Sequence, residues 1–210
     1  MTVTTLFGQP LVDGYSYTLA QCDVPAERRK ELQTYRDKRR AWVSWISTDE
    51  HHAIWTVLSN MVWRDAAFKA LTKFAVADDE NALNNPLVME ALVEGYVANQ
   101  VLAIRRLMDR SGGEVLSLRK LIKDLRSHYA LFTRENYICF DGLPYDYEAV
   151  RRAWLASAPA GFSWRPNTGP EADATSERAH AQFDKLAGID PAKRTREDRL
   201  PLSLLKSAEA

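Results

Sequence analysis

Imidazole exchanges a proton near neutral pH, so the four histidines of this 210-residue chain, at positions 51, 52, 128 and 180, are its first candidates for acid–base chemistry. His51 and His52 are adjacent; on a helix they point about 100° apart and do not readily share a metal. His128 is better placed. It follows Leu121 and Leu125 by seven and three residues and precedes Phe132 by four, so it borders an apolar helical stripe. There it is either an acid/base in a cleft or a half-buried histidine satisfied by its neighbours. Arg134 lies six residues on, expected at the end of the same helix, where a guanidinium holds a phosphate or satisfies terminal carbonyls. Asp65 falls within an apolar stripe and needs a partner, with Arg64, Arg105 and His128 as candidates. Arg105 and Asp109 have the spacing of an i,i+4 ion pair.

Other chemistries find no support in the spacing. The glycine-rich phosphate loop, the dinucleotide fingerprint, the paired-histidine zinc helix and the serine nucleophile elbow are all absent. Cys22 and Cys139 are too few and too far apart for a disulfide framework or a zinc site, and read as reduced, packed thiols of a cytoplasmic protein. No metal and no cofactor is expected. The start, MTVTTLFGQPLVDGYSY, lacks a basic region followed by a continuous apolar stretch, so no secretory signal is read there. Uncharged runs short of about 18 residues argue against a membrane span.

Twenty-eight basic and 28 acidic side chains cancel, but not locally. Residues 105–126 hold seven basic residues against three acidic ones, residues 27–40 repeat that ratio, and residues 77–100 carry five acids and no base. A chain divided in this way can hold a polyanion on one face, with Tyr35, Trp42 or Trp45 for base stacking, or can set its acidic and basic faces against each other.

The elements expected to carry these residues are helices. Pro25 opens a basic helix that ends near Ile46. Ser47 to Glu50 fits a capping box for a helix to about Val76, with apolar bulk on two faces. Asn85 and Pro86 start a third helix to about Arg110, in which Gly95 permits close backbone approach, and Ser111-Gly112-Gly113 ends it. Ser117 caps a fourth, from Leu118 through Arg134. Four helices with short links imply an up-down bundle. Beyond Asn136 the chain turns aromatic and turn-rich, with short helices expected over EAVRRAWLA and SERAHAQFDKLAG. The expected division is an N-terminal arm and basic helix over 1–46, a bundle core over 47–137, and an extended C-terminal arm over 138–210 that wraps the bundle or a partner.

Arg106-Leu107-Met108-Asp109 followed by Ser117-Leu118, within VLAIRRLMDRSGGEVLSLRKLIKDLR, resembles the helix–loop–helix core of HEPN-like proteins of the abortive-phage-infection type, over about residues 47–135. The resemblance implies a mainly α, dimeric bundle in a superfamily that includes metal-independent ribonucleases of phage defence and stress response. Such nucleases carry Arg-x4-6-His on one helix. Here the spacings are Arg126-x-His128 and His128-x5-Arg134 instead. Cleavage, on this reading, falls to His128 as acid/base with Arg105 and Arg134 on the scissile phosphate. Arg106, Arg110, Arg119, Lys120 and Lys123 would bind the RNA backbone. The alternative is a non-catalytic dimeric module whose 138–210 arm engages a protein partner.

Overall fold

The computed structural model describes residues 15–47, 53–77, 81–109, 116–159 and 176–206. The chain is mainly helical, and no β-strand occurs among the described residues; one isolated antiparallel bridge joins Thr133 to Arg199. The chain divides into two compact units, one formed by residues 1–40 with 126–210 and the other by residues 41–125. This differs from the expected division at 46 and 137, because the segment after residue 126 packs with the N-terminal residues.

The second unit contains α2 (Ile54–Ala77) and α3 (Pro86–Leu107), which pair as a hairpin, and most of α4 (Leu118–Ser127). Asn85 caps α3 as expected, its side chain accepting from the Leu87 N–H at 2.9 Å. Phe68 stacks on Tyr96 across the hairpin, ring centroids 4.2 Å apart. The Gln100 amide donates to the Met61 carbonyl at 3.0 Å. Nothing lies within 4 Å of where a Cβ would stand at Gly95, so no backbone approaches there. Ser117 caps α4 by accepting from the Lys120 N–H at 3.1 Å, and Leu121 and Ile122 form its buried face. The Trp42 indole donates to Asp124 at 2.8 Å.

Helix α1 (Arg29–Ser47) follows a short 3-10 turn that begins after Pro25. It extends through Ser47, whose hydroxyl donates to the Val43 carbonyl, so Ser47 closes α1 rather than capping the next helix. The expected partner Glu50, with His51 and His52, lies outside the described residues, as does the Ser111-Gly112-Gly113 stop.

In the first unit, the fourth helix stops earlier than its apolar pattern suggests. His128 leaves helical geometry (φ −111°, ψ 21°), a 3-10 turn covers Tyr129–Leu131, and a new helix, α5 (Arg134–Cys139), starts with Thr133 as its cap. The backbone accounts for this. The Arg134 and Glu135 N–H groups donate to the carbonyls of Asp198 and Arg196, at 2.7 and 3.2 Å, leaving no upstream helical partner. Tyr137–Cys139, at the start of the stretch read as aromatic and turn-rich, is therefore helical. The C-terminal region holds the two short helices expected there, α6 (Tyr147–Ser157), capped by Asp146, and α7 (Ser176–Ala187), and a single turn, α8 (Ser203–Lys206). Leu32, Ile138, Cys139 and Phe183 are almost fully buried here, with the Tyr35 ring edge-on to Phe132 and Phe140.

Two glycines in this unit sit in the left-handed region, Gly142 at φ 82° and Gly188 at φ 66°. A Cβ on Gly142 would run into the Tyr17 ring, whereas Gly188 faces open space. Gly188→Ala should therefore cost about 1 kcal/mol and Gly142→Ala about 2–3 kcal/mol, since only the second adds a clash to the backbone strain. Urea unfolding of the two variants would reveal the order.

Candidate functional site

Arg134 begins α5, and its side chain is 0% exposed. Its Nη1 pairs with Asp184 at 2.7 Å, and its Nε and Nη2 meet one carboxylate oxygen of Asp198 at 3.0 and 2.8 Å. The guanidinium also lies over the Phe183 ring, 4.7 Å from its centroid. A fixed planar fork can serve two carboxylates and an aromatic face at once. Glu135, next in sequence and 1% exposed, receives Arg196 at 2.6 Å and Arg28 at 3.2 Å. Arg194 closes the second side of Asp184 at 2.6 Å and reaches Glu177. Charges from the N-terminal turn, α5, α7 and the 194–198 segment thus converge on one buried network.

His180 joins it from α7. A carbonyl only accepts, so the 2.8 Å contact with the Tyr145 carbonyl fixes the proton on Nε2. Nδ1 is then left to accept from Arg134 Nη1 at 3.4 Å. Burial lowers the affinity of this imidazole for a proton, and Arg194 and Arg134 add to that effect against the carbonyl's pull. His180 is held as the neutral tautomer. For Asp184 and Asp198 burial acts to raise the pKa, but hydrogen bonds outweigh it. Those from Arg194 and Arg134 hold Asp184 below the usual carboxylate range, and those from Thr195 and Arg134 do so for Asp198.

The residues expected to cut RNA are distributed differently. Arg134 is ion-paired with Asp184 and Asp198 and closed to solvent, and His128 is not among its partners. His128 is half-buried, its Nδ1 3.1 Å from the Ser127 hydroxyl. Arg105 is exposed on α3, in the other compact unit. Among the residues expected to bind RNA, Arg119 and Lys123 are exposed on α4, and the Lys120 ammonium lies 5.3 Å from the Trp45 ring centroid. Arg110 lies outside the described residues. Asp65 pairs with none of its three expected partners; it accepts from Lys69 at 2.7 Å and Tyr96 at 2.9 Å.

Arg106 is half-buried beside the hairpin, and its Nε is buried without an acceptor among the described residues. It lines a cleft of about 200 Å³ between α2 and α3 together with Asn60, Arg64 and Asn99. Arg64 donates to the Asn99 carbonyl oxygen at 2.7 Å. Each helix also bears an apolar stripe: Trp55, Leu58 and Val62 on α2, and Val93, Val97, Val101, Ile104 and Met108 from α3 onward. These side chains are exposed, Trp55 at 64%, Val62 at 69% and Val101 at 55%. Leu58 and Asn60 are two residues apart on a helix, so they point about 200° apart, as do Asn99 and Val101. The stripes therefore face away from the cleft. Helix α3 is long and apolar enough to cross a membrane by length and composition, at mean hydropathy 1.4, although no span was expected from the sequence.

Sequence reasoning counted His180 among the histidines without giving it a role, and passed over Asp184 and the 194–198 segment, because a charge-rich stretch before the C-terminus has the same composition whether solvated or buried. The one usable signal is the mixed-sign run Arg194-Thr195-Arg196-Glu197-Asp198, which places two guanidinia and two carboxylates within about one turn.

Removing Arg134 takes a cation from both Asp184 and Asp198 in the interior. Arg134→Met should destabilise the chain by about 3–5 kcal/mol, and Arg134→Lys should recover only part of that, since one ammonium cannot serve both acids. Stability should also fall with acidification in two stages. Below pH 6.5, the ordinary value for histidine, the unfolded chain takes a proton that folded His180 resists. Below 3.8, the ordinary aspartate value, the same holds for Asp184 and Asp198, which give up in acid the stability they contribute at neutral pH. Chemical unfolding as a function of pH would detect both stages, and His180→Gln should remove the first.

No family model, no curated protein and no solved structure matches the chain.

Proposed function

We propose that this protein is a HEPN-like helical module that works as a homodimer through the apolar stripes of α2 and α3, without an active site of its own. The exposure of those stripes is the observation that carries this reading. Together they leave eight large apolar side chains in water, more than the singly scattered residues a monomer normally exposes. A second copy suits them better than a lipid bilayer. Arg64, Asp65, Lys69 and Lys73 lie along α2 and Glu90 and Glu94 along α3, and each central charge costs about 2.5–3.5 kcal/mol in a membrane. An isologous contact lets the same stripe cover its own copy while the charged residues stay at the rim. The up-down bundle belongs to the same proposal.

RNA binding in the cytoplasm, in a phage-defence or stress context, is the second reading. It rests on the resemblance and on the basic side chains of α4 and the end of α3. Binding fits better than cleavage, because the chemistry proposed for Arg134 needs a free guanidinium and this one is committed to Asp184 and Asp198.

Light scattering during gel filtration at about 10 µM should give twice the chain mass, and Val101→Glu should give a monomer by burying a charge in the interface. A wild-type monomer that sediments with lipid vesicles overturns the dimer. For the second reading, labelled single-stranded RNA should be retained and recovered intact. Cleavage abolished by His128→Ala would restore the nuclease.

A further inference from the structure

We infer that the α2–α3 cleft is a binding site for a phosphodiester group of single-stranded nucleic acid, with Arg64 and Arg106 on the phosphate and Trp63 against the adjoining base. The inference extends the RNA-binding reading and names the residues that would carry it.

Charge is the first argument. The cleft is lined by two guanidinia and two carboxamides, and no carboxylate lines it. Among the described residues Arg64 has one partner, the neutral Asn99, so most of its donors are uncommitted there. Arg106 has none among the described residues, and its Nε is buried without an acceptor. A buried donor with no acceptor is uncommon in a folded chain and is relieved by an anionic ligand. The contrast with Arg134 is direct: that guanidinium has its acids built in, whereas these two have none.

Asp109, one turn after Arg106, is the nearest acid to it in sequence, and it does not line the cleft. Asp65 follows Arg64 in sequence but is engaged by Lys69 and Tyr96. Glu94 lies five residues before Asn99, about 140° round the helix from it.

Size and surroundings select the ligand. About 200 Å³ is below the roughly 300–1,000 Å³ of pockets that enclose a drug-sized molecule. It admits a phosphate with part of a sugar and leaves the remainder of the ligand outside, as a strand running across the opening requires. Trp63, three residues after Asn60 on the same helix, is 75% exposed, giving a nucleobase a flat surface beside the phosphate. Met61 and Leu102 supply the apolar part of the lining, against which the sugar would rest.

The test is fluorescence anisotropy of the full chain with a labelled 12-nucleotide oligouridylate over a salt series, alongside calorimetry with inorganic pyrophosphate. Arg64→Gln with Arg106→Gln should weaken oligouridylate binding at least tenfold and lower the salt slope by about 0.7, the value for one single-strand phosphate left without its arginines. Trp63→Ala should weaken it about tenfold with the slope unchanged. Should Arg106→Gln unfold the chain, Arg64→Gln, at an exposed position, carries the test through the loss of affinity. If the oligonucleotide binds the double variant as it binds wild type, the cleft assignment falls while the RNA-binding reading stands. If wild type ignores the oligonucleotide but binds pyrophosphate through Arg64 and Arg106, the RNA reading falls and the nucleic-acid assignment falls with it, leaving a plain oxyanion site. If neither ligand binds, both are overturned.

Discussion

A guanidinium with no water around it must find its counter-charges inside the protein, and the first compact unit is built around meeting that condition for Arg134. Two carboxylates, a histidine nitrogen and a phenyl face surround it, contributed by α7 and the 194–198 segment. None of these groups is near Arg134 in sequence. Each must arrive for the burial to be tolerable, so the network selects one arrangement of the C-terminal segments and penalises the others. The same demand explains the break after α4. Once the backbone N–H groups of Arg134 and Glu135 are bonded to Asp198 and Arg196, the helix cannot run through them. A neutral His180 fits that scheme, since a protonated one would set a third cation against Arg134 and Arg194.

The second unit meets a different constraint. Its hairpin is held by a stacked aromatic pair and a few polar contacts, and much of its apolar surface is left in water. Hydrophobic side chains that a single chain leaves exposed are stabilised when a copy covers them. Polar groups there follow another pattern: Asp65 is satisfied within the hairpin, while Arg106 is not. Apolar exposure on one side of α3 and orphaned cationic donors on the other call for two kinds of occupant, and helical geometry lets both be present at once.

Much of the helical content was legible in the sequence because it rests on local signals. Asn85 and Pro86, Ser117, and the glycine that ends SERAHAQFDKLAG each mark a helix boundary by a mechanism confined to a few residues. What was not legible depends on residues far apart. The apolar repeat Leu121, Leu125, Phe132 continues smoothly across His128, and only the distant carbonyls of Arg196 and Asp198 stop the helix. Ser47 offered a cap, but its hydroxyl found the carbonyl four residues back, which a serine in a helix does equally well. The division into compact units is hidden for a similar reason. A charged, turn-rich C-terminal stretch reads as an arm until its charges are seen to be buried against Arg28, Arg134 and Glu135.

The candidate site turns on the same ambiguity, at its sharpest for arginine. The fork that binds a phosphate also binds a carboxylate, and neither the residue type nor its spacing to a histidine separates the two uses. Burial and stoichiometry of charge do. Arg134 meets two acids and is closed to solvent, so its positive charge is already matched within the fold. Among the described residues Arg64 meets a neutral amide and the Arg106 Nε meets no acceptor, so theirs is not matched there. A chain whose formal charges sum to zero can therefore still present a cationic site, provided its acids are concentrated elsewhere; here Asp184, Asp198 and Glu135 are consumed in one interior network, and the cleft between α2 and α3 is left without them.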